Sequence, residues 1–331
     1  MSKTSFTSPK RERGAALLTV LLLVAVLAIL AAHGIDRLAG AAKLTSNSRE
    51  LSQAKAYVVA AESMGMETAR QIVSISPDRT TNFGGWNGEE NIVPVPGGVI
   101  TAVISDGGNC FNINSLVEQR GAVLAARQTG FDQFVRLMIR LDVPDGDASD
   151  IAESVTDWLD SNNVATPRGA EDDYYLQLDN PYRTANGLLV DISELRAIKG
   201  FDAAIYARLA PWICALPVTD LSPINVNTLR PERSLLLEIL SSSPTNSVQV
   251  RQFLGNRPEV GFASAAEFWS QSVPASFNVT SDTESQVRVT TRWFRLALAV
   301  EMQSALVEED ALVDAARQPA RLVHRRRGDA L

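Results

Sequence analysis

Oxygen-bearing side chains crowd one short stretch of the chain: Asp157-Trp158-Leu159-Asp160-Ser161-Asn162-Asn163-Val164-Ala165-Thr166-Pro167-Arg168-Gly169-Ala170-Glu171-Asp172-Asp173-Tyr174-Tyr175. Carboxylates and carboxamides in a loop that follows a helix suit a hard cation such as Ca2+, which takes about six to eight oxygens in flexible geometry. With Asp160 as position one, Asn162 falls at three and Glu171 at twelve, a partial echo of the EF-hand loop. Position six is Ala165 rather than Gly and position five is Val164, so the turn itself must differ. Further acids, Asp179, Asp191 and the cluster Asp142, Asp145, Asp147 and Asp150, could complete this site or form another. A plainer reading stands beside this one. In it Asp147 or Asp150 caps a helix, Arg168 pairs with one acid, and the others are solvated.

Catalytic chemistry finds little support. The two histidines, His33 and His324, lie near opposite ends of the chain, which excludes a Ser-His-Asp triad, a Cys-His pair or a His-rich zinc site in this region. No Gly-rich phosphate loop with its Lys is present. Asp157 and Glu171 would suit a glycosidase pair only by being acidic. A non-enzymatic role is expected.

The elements that must hold the acidic loop read as helical: residues 117–141, 150–159, 192–213, 231–240 and 263–270, separated by loops rich in Asp, Asn, Pro and Ser. Strand patterns flank this block, at 99–105 and 111–116 before it, and at 277–280, 287–300, 305–313 and 321–325 after it. No fixed-period repeat is visible. The order predicts an α+β chain whose antiparallel sheet domain is interrupted by a large α-helical insertion. The expected units are a leader at 1–14, an apolar and stalk helix at 15–76, sheet segments at 77–114 and 275–331, and the insertion at 115–274.

Ahead of all this, Lys10-Arg11-Glu12-Arg13-Gly14 runs into an uncharged apolar stretch from Ala15 through Leu22 to Ala32. Eighteen helical residues span about 27 Å, close to the roughly 30 Å hydrocarbon layer of a bilayer. Four of the five preceding charges are positive, which favours a cytoplasmic N-terminus and an extracytoplasmic body. Apolar residues Leu51, Ala54, Val58, Ala61 and Met64 carry a helical stripe onward until Pro77 ends it.

Two cysteines occur, Cys110 and Cys214. In an oxidising compartment a single disulfide is the natural pairing, with two separately buried thiols as the alternative. The net charge is −7, and losing residues 1–14 removes four positive charges and one negative, leaving −10. Such a surface repels phosphate backbones, so nucleic acid is not an expected partner.

The leader resembles that of the type IV pilin and pseudopilin superfamily, in which a prepilin peptidase cuts after the glycine and methylates the new terminus. Here that places the cut between Gly14 and Ala15. Most of that superfamily carries Glu at the fifth mature position, where this chain has Thr19. The run Asp157 to Asp160, Gly169 to Asp172 with Tyr174-Tyr175, and the motifs Phe111-Asn112-Ile113-Asn114-Ser115-Leu116 and Ile224-Asn225-Val226-Asn227-Thr228-Leu229 together resemble the general secretion pathway protein K family, the large minor pseudopilins of type II secretion. Members of that family also lack the fifth-position Glu. The resemblance implies a pilin-like sheet with a helical insertion that binds structural Ca2+, with Asp160, Asn162, Glu171 and Asp172 as ligand candidates. Asn162 stands where many relatives carry Asp, which lowers the ligand charge. It also implies a pseudopilus-tip role for protein export, in which the helix bearing Ala15, Thr19, Leu22 and Ala32 packs among other minor pseudopilins and the major pseudopilin. An inner-membrane location, a periplasmic body and contact with the secretion assembly platform belong to the same implication. Residues 195–202 and 224–228 also resemble helix-hairpin-helix modules, and a membrane-anchored DNA-binding protein is the rival reading. Against it, Asp202 stands where the second hairpin glycine is expected.

Overall fold

The computed structural model describes residues 12–316 and 319–328; the leader residues 1–11 lie outside the described residues. Helix α1 (Glu12–Ile75) runs unbroken for 64 residues, about 96 Å. It is the one helix among the described residues long and apolar enough to cross a membrane, and residues 15–46 are exposed throughout.

Strands β1 (Glu90–Val95) and β2 (Gly98–Asp106) follow, then β3 (Phe111–Asn112). The next segment departs from the helix expected over 117–141. Its first part is a hairpin, β4 (Val117–Arg120) and β5 (Val123–Ala126), and only α2 (Gln128–Arg140) is helical. Gly121 occupies the turn at φ 67°, the left-handed conformation a two-residue hairpin loop requires. Helices α3 (Asp145–Leu159), α4 (Asp172–Tyr175) and α5 (Ala203–Leu209) lead to β6 (Ile213–Cys214) and β7 (Ile224–Asn225). Helices α6 (Leu235–Glu238), α7 (Ser247–Gly255), α8 (Ala265–Trp269) and α9 (Ser281–Glu284) complete the helical part.

The strand pattern over 287–300 divides into β8 (Val287–Arg288) and β9 (Trp293–Met302), and residues 277–280 form no strand. Thr80 causes the division. Its N–H donates to the Val289 carbonyl and its hydroxyl accepts from the Thr291 N–H, so the loop after α1 occupies the ladder positions there. β10 (Leu306–Asp314) and β11 (Arg321–Arg327) end the chain.

Five strands form one fully antiparallel sheet in the order β1-β2-β9-β10-β11. α1 packs Ala54, Val58, Ala61 and Ala69 on it, against Leu296, Leu298 and Val300. The predicted Met64 faces solvent instead. Gly65 takes the inward position, where a Cβ would stand 2.8 Å from the Leu296 side chain. Each fully buried Leu or Val in this layer contributes about 1.5–3 kcal/mol.

The insertion leaves after β2 and returns before β9, with its own core from Phe111 to Val287. Two ends of the sheet are thereby distinguished. At one, Glu50 accepts hydrogen bonds from Ser304 and Gln53 reaches the Pro96 carbonyl, next to the β9–β10 and β1–β2 turns. At the other, beside the last turn of α1 and Thr80, the insertion emerges. It therefore lies at the end of the sheet remote from the apolar half of α1.

The two Asn-x-Asn motifs anchor the insertion in the same way. Asn112 and Asn225 each accept from the N–H two residues on. Asn114 then clasps both the N–H and the carbonyl of Leu189, and Asn227 does the same to Phe262. Each motif also begins a two-residue parallel bridge, β3 with β6 and β7 with β8.

Candidate metal centre

α3 delivers the acidic loop. Asp145 and Asp147 lie in its first turn, where negative charge complements the free N–H groups, but its N-cap is Pro144 rather than either capping candidate. Arg168 pairs with Asp150 at 3.1 Å. At the other end of α3, Asp157 is fully buried and Asp160 is the C-cap. Asp157 accepts the Thr166 N–H at 3.0 Å, and Asp160 accepts the Asn162 N–H at 2.9 Å. Asn162, exposed, accepts the Val164 N–H at 2.7 Å, so two consecutive side-chain turns shape the loop. Gly169 is required by space: a Cβ there would lie 1.9 Å from Asp157 Oδ2.

Glu171 and Asp172 start α4. Glu171 is buried; its Oε2 lies 3.1 Å from the Thr184 hydroxyl, and its Oε1 has no partner among the described residues. Asp172 accepts the Thr184 N–H at 3.0 Å and pairs with Arg183. Asp179 is exposed. Among the described residues, no three His, Cys, Asp or Glu side chains are already gathered around one point.

The electrostatics set Glu171 apart. Burial, with the charges of Asp157, Asp160 and Asp172 adding to it, pushes its carboxyl up to about 7 against the Thr184 hydrogen bond. Burial likewise raises Asp157 to about 6, with Asp160 contributing. Asp172 moves the other way: against its own burial, Thr184 and the Arg183 guanidinium hold it below the usual range. Three buried acids, Asp157, Asp160 and Glu171, thus repel one another, and one holds an orphaned oxygen.

Trp158, Tyr175 and Tyr182 pack ring against ring beneath the loop. Lys199 clamps its far side, donating to the carbonyls of Arg168 and Gly169 at 2.9 Å each. This residue belongs to the segment that resembles a nucleic-acid hairpin, yet its ammonium is directed at the protein's own backbone, and Asp202 caps α5 through the Ile205 N–H. Neither Lys199 nor Thr184 was identified as part of the site from sequence. The nearest signal was Gly200, whose φ of 91° turns the chain tightly against Ile151.

Cys110 and Cys214 form a disulfide with Cα atoms 5.8 Å apart, beside the β3–β6 bridge.

An apolar helix whose second half packs on an antiparallel sheet, with a helical insertion carried at the far end, defines a pilin-like subunit with an added domain. Models of type II secretion system protein K match residues 109–218 and 224–290. Protein K of Pectobacterium carotovorum subsp. carotovorum is 33% identical over 323 residues, covering 96% of this chain and 97% of the relative. That of Klebsiella pneumoniae is 32% identical with the same coverage. The crystal structure of the GspK-GspI-GspJ complex from the enterotoxigenic Escherichia coli type 2 secretion system superposes with a TM-score of 0.76 at 30% identity, over 86% of this chain and 99% of that one. The chain belongs to the type II secretion system protein K family, and is a minor pseudopilin of that system.

Proposed function

We propose that this minor pseudopilin caps the tip of the pseudopilus, helping to initiate the filament that drives protein export. The observation that carries this reading is the placement of the insertion at the sheet end remote from the apolar helix. A lobe that wide, in that position, obstructs addition of a further subunit above it. Prepilin peptidase removes residues 1–14 and leaves methylated Ala15. The segment from Ala15 through Leu22 to Ala32 then moves from the inner membrane into the filament core among other minor pseudopilins, the relative's GspI and GspJ being the pattern. Thr19 suits a subunit whose pairing neighbour is absent, because an unpaired carboxylate in an apolar helix is costly. The body is periplasmic, and the major pseudopilin and inner-membrane assembly platform act on the same helix. No catalytic step is needed.

Calcium is the structural ion this reading calls for. Asp160 and Glu171, with Asn162, Asp172 and Asp179 as further oxygen donors, would hold it, and its charge would offset the repulsion among the buried acids. Immunogold labelling of overproduced filaments tests the tip assignment: label at one end supports it, and label along the length sinks it. The mass and N-terminal sequence of the native chain test processing, with a methylated Ala15 as the expected start.

A further inference from the structure

α1 covers one face of the five-stranded sheet, and strand register fixes which residues stand on the other. Reading across β1, β2, β9 and β10, one row is Pro94, Val99, Glu301 and Leu306, and the next is Ile92, Thr101, Ala299 and Glu308. Glu90, Val103, Ala297 and Asp310 form the third. Directly paired residues share a face, and the intervening Leu296, Leu298 and Val300 are the ones buried beneath α1. None of the apolar side chains in these three rows belongs to a buried core. Ile92 is 65% exposed and Leu306 59%, while Val99, Val103, Ala297 and Ala299 are half-buried. An exposed apolar patch with a polar rim marks a site of interaction.

The relief of this patch is a shallow groove. β9 supplies a floor of two small side chains, Ala297 and Ala299, between the larger ones of β2 and of β10. β2 and β10 stand two strand spacings apart, about 10 Å, which is the diameter of one α-helix. The charges are one-sided. Arg295, beyond the floor on β9, pairs with Asp310, and Arg326 of β11 pairs with Asp191 of the insertion, so both guanidinium groups on this face are neutralised within the chain. Glu90, Glu301 and Glu308 have no ion pair among the described residues, and Glu301 and Glu308 border the floor.

An alanine floor one helix wide, apolar on the β2 side and acidic on the β10 side, matches an amphipathic helix whose apolar stripe is bordered by Lys or Arg. The molecule already uses the apolar half of this contact, since α1 lays Ala54, Ala61 and Ala69 on the opposite face of the same sheet. We propose that the outer face of the sheet, along β9, docks a basic amphipathic helix of another protein, its apolar stripe on Ala297 and Ala299 and its cations beside Glu301 and Glu308. The sheet separates this groove from α1, so packing of α1 among neighbouring helices leaves it open. The site therefore stands or falls apart from the tip assignment.

Fluorescence anisotropy on the full chain in neutral detergent micelles tests this with two labelled peptides about four helical turns long. One carries an alanine–leucine stripe bordered by lysines, and the other has glutamate in place of each lysine. The basic peptide is expected to bind about tenfold more tightly. In the double variant Glu301→Lys, Glu308→Lys the order of the two peptides should reverse, and because micelle binding is common to both proteins it cancels in that comparison. Ala299→Tyr, at a half-exposed position, fills the floor and should weaken the basic peptide about tenfold with the thermal midpoint unchanged. The same order of peptides in both proteins, no saturation below about millimolar concentration, or undiminished affinity in Ala299→Tyr would overturn the proposal.

Discussion

Glu171 is the buried acid whose Oε1 lacks a partner among the described residues, and it is the residue on which the proposed calcium site is best tested. Replacing it with Gln keeps its volume and its contact with Thr184 but removes the repelled charge. The expected result is a chain whose melting temperature no longer responds to calcium. The unsubstituted chain should gain about 2.7 kcal/mol when the ion is at one hundred times its dissociation constant. Scanning fluorimetry with calcium against chelator reads both, and an equal response in the two proteins would dismiss the site. Gly169→Ala should destabilise the loop by about 1–3 kcal/mol through its clash with Asp157, measurable by urea denaturation. The acids themselves were legible, because a run of oxygen donors after a helix is a local pattern. Thr184 and Lys199 were not, since only folding brings them from later segments onto the loop. The paired Asn-x-Asn motifs were visible as text, but their shared task, clasping a distant backbone unit, appears only in three dimensions.

Among the elements, the last strand is the most heavily tied. On β11, Arg325 pairs with Glu62 of α1, Arg327 with Glu309 of β10, and Arg326, on the opposite face, with Asp191 of the insertion. Burial, and then the neighbouring Glu62 carboxyl, raise Glu309 above the usual Glu range against the pull of Arg327. A raised acid binds its proton more tightly in the fold than in the open chain, so the stability this contributes is complete below the ordinary Glu value and is lost as pH climbs through the raised one. Glu309→Gln mimics the protonated form. It should flatten this dependence, with thermal midpoints converging at pH 5 and the variant more stable at pH 8; parallel curves would contradict the assignment. The strands of the sheet were largely readable from their alternation. Residues 117–126 were not, because Ala and Leu there favour helix while Gly121 and the Arg127 N–H bond to the Leu116 carbonyl fix a hairpin. The break between β8 and β9 was equally hidden, since Thr80, far away in sequence, imposes it.

At the scale of the whole molecule, the order of apolar helix, strands, helical block and strands foretold the α+β architecture, because element order is written directly in the hydrophobic periodicity. The position of the insertion relative to the sheet was not written there, as it depends on which strands become neighbours. The Cys110–Cys214 bridge closes a long loop within the insertion. Its reduction should lower stability by up to about 4–5 kcal/mol in the chain-entropy model. Thermal melts with and without reductant check this, and an unchanged midpoint would limit the bridge to a passive role.

The pairing of β2 with β9 also dictates a timetable. Asp106 meets Phe294 across roughly 190 intervening residues, so the central ladder cannot zip until the ribosome has passed the entire lobe. Until then the alanine stripe of α1 has only the β1–β2 hairpin to lie on, and most of its seam stays uncovered. A lobe that folds first draws the two strand ends together and shortens that vulnerable interval.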